Sequence, residues 1–154
     1  MGQPGQPPET TSGAIMSLSL VKEPAVTDLF ARLANKPFFT SWGPVSPAAI
    51  SAAESTLGLT FAEDYREYVG VCGVASFDGH ELTGICPFPR LDVVEVTQEE
   101  RRFNPGIPNG LYVVEQANID GIVAWQSASG EVYRTSPGTG PFKLCDSLSE
   151  YINL

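Results

Sequence analysis

Positive charge and histidine are both scarce in this chain. Nine Lys and Arg stand against eighteen Asp and Glu, which gives a formal net charge of -9 and a sequence pI near 4.4. A nucleic-acid binder needs a basic face to neutralise phosphate, so that class is set aside, as is docking on anionic lipid. Long apolar runs are missing as well. The longest uncharged stretch, residues 37–53, is broken by Gly43, Pro44, Ser46 and Pro47, whereas a membrane helix needs about 20 apolar residues. No Lys or Arg precedes Lys22 and no apolar block opens the chain, so a secretory signal is not expected. The three cysteines, Cys72, Cys86 and Cys145, are odd in number and lack CxxC spacing. A disulfide framework or zinc site is therefore not expected, and reduced thiols point to the cytoplasm.

What is present suffices for one domain. The 154 residues are 42% hydrophobic and 10% aromatic, enough to bury a core. Residues 1–18 are rich in Gly, Pro, Gln, Ser and Thr and read as a disordered leader, with Met16 an alternative start. A single domain is expected over 19–154.

The first half carries helical periodicity. Val26, Leu29, Phe30 and Leu33 form one stripe, opened by Pro24 and stopped at Asn35-Lys36-Pro37. A second helix opens at Ser46-Pro47, buries Ile50, Ala53 and Leu57, and closes at Gly58. A third begins with a capping box at Thr60-Phe61-Ala62-Glu63. Its buried stripe is Phe61, Tyr65, Tyr68, Val69 and Cys72, with Glu63, Asp64 and Glu67 on the wet side.

The second half changes period. A short strand is expected over Leu82–Cys86, ended by Pro87-Phe88-Pro89, then a charged surface helix over Leu91–Phe103. Strands follow at Leu111–Gln116, Ile122–Gln126 and Glu131–Arg134, with turns at Asp120-Gly121 and Ser129-Gly130. Ser136–Pro141 reads as a turn, and Leu144, Leu148, Tyr151 and Ile152 as a short closing helix. Helices followed by a meander predict an α+β fold, N-terminal helices packed on an antiparallel-dominated sheet.

The stretch Ile50–Gly73 has the most specific pattern. Ile50, Glu54, Leu57, Gly58, Phe61, Asp64, Tyr65, Arg66, Tyr68, Val69 and Gly73 fall in the order and spacing of one signature. Trp42-Gly43-Pro44 precedes it; Gly84, Asp92-Val93, Thr97, Asp120-Gly121, Gly130-Glu131-Val132-Tyr133 and Ser149-Glu150-Tyr151 follow. From about Phe38 onward the chain resembles the SUKH superfamily, the group related to the Smi/Knr cell-wall-assembly regulators. It departs at Ala62, where proline is usual, and at Val74, where a second glycine is usual. The resemblance implies a SUKH-like fold. It also implies an immunity protein that neutralises a cognate toxin domain, often a nuclease, by stoichiometric occlusion; the alternative is a regulatory or scaffold module. Neither use implies catalysis. Within the signature, Glu54, Asp64 and Arg66 read as residues that hold the helix corner around Gly58.

Chemistry-bearing residues are few. His80 with Asp78 and Glu81 offers the start of a metal site, but no second cluster of ligands is visible, so a turn histidine is expected. No G-x-S-x-G elbow occurs, Cys72 lies on an apolar stripe, and Ser136–Pro141 lacks the Gly-Lys-Ser/Thr of a phosphate loop. No cofactor, metal or catalytic residue is expected. What remains is acidic: Asp78, Glu81, Asp92, Glu95, Glu99 and Glu100 between Phe77 and Phe103 read as a docking surface for a basic toxin domain. Trp125, expected in the core, and Tyr133 mark the concave side of the meander as the further partner-binding candidates.

Overall fold

The computed structural model describes residues 28–154; the leader, Pro24 and Val26 lie outside them. Helix α1 runs through residues 28–34, with Leu29 and Leu33 buried and Phe30 edge-on to Phe39. Strand β1 (Thr40–Ser41) and helix α2 (Pro47–Leu57) follow. The α2 ends are as the sequence dictates. Ser46 accepts from the Ala49 N–H, Pro47 occupies the first turn, and Gly58 closes the helix at φ 70.

Helix α3 (Glu63–Cys72) departs from expectation at its start. Ala62 takes the cap position and no local side chain caps it, so the capping box at Thr60 does not form. Distant groups serve instead: Glu54 Oε2 accepts from Phe61 N–H (2.8 Å) and Tyr112 Oη from Ala62 N–H (2.9 Å). The buried stripe of α3 is the expected one.

The strands β2 (Ala75–Phe77), β3 (His80–Leu82), β4 (Tyr112–Gln116), β5 (Val123–Gln126), β6 (Val132–Ser136) and β7 (Thr139–Cys145) complete a seven-stranded antiparallel sheet with β1. Their spatial order is the chain order. Helix α4 (Val93–Phe103) bridges β3 and β4, and α5 (Leu148–Tyr151) closes the chain. The architecture is α+β.

Several local expectations are corrected. The strand foreseen at Leu82–Cys86 lies earlier, at His80–Leu82, because the Asp78-Gly79 turn (φ 47 and 83) folds it onto β2; Gly84 keeps one parallel bridge to Asp92. Strands β1 and β2 were not foreseen, being two and three residues long. Ser136–Pro141 is not only a turn. Its second half starts β7, and Leu144 belongs to that strand rather than to the closing helix. Gly140 and Pro141 argue locally against a strand, but an edge strand needs ladder bonds on one side alone.

Strand alternation divides the core in two. Ala75, Phe77, Leu82, Tyr112, Ala124 and Val132 face α2, α3 and α5 in the larger cluster. Their neighbours Val113, Val123 and Trp125 point the other way, into a smaller cluster with Val96 of α4, Ile107 and Leu111. In the larger cluster the rings of Phe61, Tyr65 and Tyr112 meet at centroid distances of 4.8–5.1 Å. Their hydroxyls are satisfied: Tyr65 Oη with Thr83 Oγ1, Tyr68 Oη on the Thr83 carbonyl and Tyr112 Oη on Gln126 Oε1, each at 2.8 Å. Burial pushes all three phenols well above the usual tyrosine value.

Candidate functional site

The sheet face that carries Trp125 is roofed only over its second half. Toward the other edge, Thr40 pairs with Ser76 across β1 and β2, and Ser76 with Glu81 across β2 and β3. Since Ala75, Phe77 and Leu82 face the larger cluster, these three polar residues point to the opposite side. They form a row across three strands, with Thr40 Oγ1 and Ser76 Oγ 2.6 Å apart.

Around that row stands an apolar wall. Trp42 and Phe88 meet edge to face, 5.1 Å between ring centroids at 83°, and remain 53% and 46% exposed. With Val74 and Leu91 they enclose a cavity of about 160 Å³ over Thr40, Ser41, Ser76 and Glu81. A smaller cavity of about 60 Å³ adjoins it, lined by Glu81, Thr83, Arg90, Leu91, Gln116 and Asn118. Glu81 and Leu91 belong to both.

The wall depends on close backbone packing behind it. Trp42 and Gly43 N–H groups donate to the Cys72 carbonyl at 3.1 and 2.8 Å, and Ile85 N–H donates to the Gly73 carbonyl at 3.1 Å. A Cβ on Gly84 would fall inside the Gly73 carbonyl, so only glycine lets these segments touch. That contact brings the Trp42 loop and the Pro87-Phe88-Pro89 loop side by side.

Charge in the trough is organised by one pair. Arg90 grips Glu81 with two parallel bonds, Nη1 to Oε1 at 2.7 Å and Nη2 to Oε2 at 2.9 Å. The Arg90 hydrogen bond holds the Glu81 carboxyl below its ordinary value, and Glu81 in turn raises the guanidinium.

The acidic residues singled out in the sequence have different situations. Asp78 sits exposed in the β2–β3 turn. Glu81 is in the trough. Asp92 caps α4 by accepting from Glu95 N–H at 3.3 Å. Glu100 is half-buried and accepts from Gln116 Nε2 at 2.6 Å. Glu95 and Glu99 are exposed on α4, one turn apart. Tyr133 is half-buried, its hydroxyl on Glu131 at 2.8 Å. Trp125 is corrected as a contact residue: it is 0% exposed under α4, its Nε1–H donating to Thr135 Oγ1 at 2.9 Å. A fully enclosed ring touches no partner.

His80 lies beside the turn and its Nδ1 is 3.0 Å from Glu115 Oε2. Glu115 is only 4% exposed and also accepts from Glu81 N–H and Tyr151 Oη. Among the described residues no group of His, Cys, Asp and Glu is placed to hold a metal. The buried Cys72 thiol is pushed up to about 11 by desolvation, which leaves it protonated at neutral pH. No helix among the described residues is long and apolar enough to cross a membrane.

The signature residues hold the frame of this architecture. Arg66 Nη2 bonds Glu54 Oε2 at 2.9 Å across the Gly58 turn. Asp64 is not on a wet face: it accepts from Gln126 Nε2 at 3.1 Å and Leu148 N–H at 2.8 Å, tying α3 to β5 and α5. A family model described as SMI1-KNR4 cell-wall, of the SUKH group, matches residues 26–153. The chain belongs to this SUKH family. No curated protein matches it. In this SUKH domain, then, Glu54, Asp64 and Arg66 position elements, and the trough is made by residues outside that trio.

Trp42, Phe88 and Arg90 escaped the sequence reading as site residues. In the sequence Trp42 stands out only within the Trp42-Gly43-Pro44 that precedes the signature, and Phe88 only within the Pro87-Phe88-Pro89 breaker. The available signal was that neither ring falls on any helical stripe or strand alternation, which marks an aromatic destined for the surface.

Proposed function

We propose that this SUKH domain is a cytoplasmic immunity module that binds a cognate, basic toxin domain and neutralises it by occlusion, not by catalysis. The observation that carries the reading is the open half of the sheet face, where a Trp and a Phe stand exposed around a polar floor. Exposed aromatics in a recess are the residues that anchor protein interfaces. Family membership supports a binding role of either the immunity or the Smi/Knr type, and the net charge of -9 favours a cationic partner. The docking surface would centre on Trp42 and Phe88, with Glu95 and Glu99 of α4 steering the approach.

The test is co-expression with toxin genes from neighbouring reading frames. Protection by the wild-type chain and a one-to-one complex are the expected results. Trp42→Ala with Phe88→Ala should abolish protection while the domain stays folded; Glu95→Lys with Glu99→Lys should slow association, most at low salt. Failure to protect against or bind any such toxin would overturn the immunity reading in favour of a regulatory or scaffold module.

A further inference from the structure

The trough has the chemistry of a receptor for one particular side chain. Its larger cavity, about 160 Å³, is smaller than the roughly 300–1,000 Å³ of small-molecule sites, so it suits one side chain rather than a cofactor. Two exposed aromatic rings line it, and a carboxylate, Glu81, stands in its floor. Aromatic faces beside a carboxylate attract a cation, and among cations a planar guanidinium serves both partners at once.

The chain itself displays half of that recognition. Arg90 approaches Glu81 along the smaller cavity, which it lines, and takes one lone pair from each carboxylate oxygen. Arg90 does not line the larger cavity, where Trp42 and Phe88 stand. Glu81 borders both spaces and has a second lone pair on each oxygen. Its side chain is 36% exposed, open to a donor from outside. The larger cavity thus combines a carboxylate with partly used acceptor capacity and an aromatic wall, and among the described residues no cation lines it.

Building on the immunity reading, we propose that the cavity between Trp42, Phe88 and Glu81 receives an arginine side chain of the partner, with Arg90 acting as a built-in competitor for the same carboxylate. Arg90 keeps Glu81 paired when the partner is absent. The incoming guanidinium lies against the indole and shares or takes over the carboxylate, which gives the interface a specific anchor within an otherwise diffuse acid–base attraction.

The test uses the full chain and a small probe, N-acetyl-arginine amide, followed by NMR at the Trp42 indole N–H and the Ser76 and Glu81 amides. Saturable shifts confined to these residues are expected. N-acetyl-lysine amide should bind several-fold more weakly. Arg90→Ala should tighten the arginine probe at least threefold by freeing the carboxylate, and Glu81→Gln should weaken it at least tenfold. An unchanged Trp125 indole signal in each variant verifies the fold. Shifts that do not saturate, or that respond equally to Glu81→Gln and Glu99→Gln, would show only general attraction to an acidic chain and overturn the proposal. The two readings fail separately. A chain that protects against a toxin without binding the probe loses the arginine site and keeps the immunity role; one that binds the probe but no toxin does the reverse.

Discussion

Two tryptophans on one face of one sheet have opposite fates in this molecule. Trp125 on β5 is 0% exposed beneath α4, its indole nitrogen bonded to Thr135. Trp42, just past β1, is 53% exposed and leans on Phe88. The face is the same; the roof differs. α4 covers the β4–β6 half because Val96 and Thr97 point down onto it, Thr97 Oγ1 accepting from the Val113 N–H at 3.0 Å. No helix among the described residues roofs the β1–β3 half, where only the Trp42 and Phe88–Leu91 loops border the trough. Burial of an aromatic stabilises a fold, whereas an exposed aromatic in a recess is available for binding, so under the proposed function the two halves divide stability and recognition between them.

That division is open to attack by mutation. The largest effect belongs to the roofed half: Trp125→Ala should cost about 3–5 kcal/mol in urea unfolding, since it empties the smaller cluster and leaves Thr135 without its donor. Next comes the seam, where Glu115 on β4 is held by His80, Glu81 and Tyr151. Glu115→Ala strands the Tyr151 hydroxyl and the Glu81 N–H, and about 1–3 kcal/mol of destabilisation is expected by the same measurement. In the open half, Trp42→Ala should cost only about 0.5–1.5 kcal/mol, the scale of an edge-to-face ring contact. A loss for Trp42 equal to that for Trp125 would break the comparison.

The smallest effect is electrostatic. Arg90 holds the Glu81 carboxyl below its ordinary value, so the pair stabilises the fold fully above the unfolded glutamate range. That contribution fades as pH falls through the lower folded value. With Glu81 36% exposed, solvent screening limits it to about 0.2–1 kcal/mol. A carboxyl NMR titration should show the Glu81 midpoint rising toward the ordinary range in Arg90→Ala. An unmoved midpoint would mean that the pair does not persist in solution.

The elements written in local sequence were legible: the Ser46-Pro47 start and Gly58 stop of α2, the buried stripe of α3, the α4 helix and the β4–β6 strands. Each rests on periodicity or on a residue with a conformational preference of its own. The misses share a different cause. β1 and β2 are too short to show alternation, and β7 is a strand only because β6 offers it a ladder. The Thr60 capping box lost to Glu54 and Tyr112, which reach the same backbone from 7 and 50 residues away.

The candidate site divides in the same way. Glu81 could be singled out by its charge, but Trp42, Phe88 and Arg90 acquire meaning only when Gly73 and Gly84 pack backbone against backbone and fold their loops around it. The sequence by itself determined the α+β class, the acidic balance, the SUKH signature and the residues of the core, because these follow from composition and periodic burial. Tertiary structure alone decided which half of the sheet α4 would cover, and so which tryptophan became core and which stayed exposed. That choice rests on contacts such as Thr97 with Val113, between residues whose pairing no local pattern encodes.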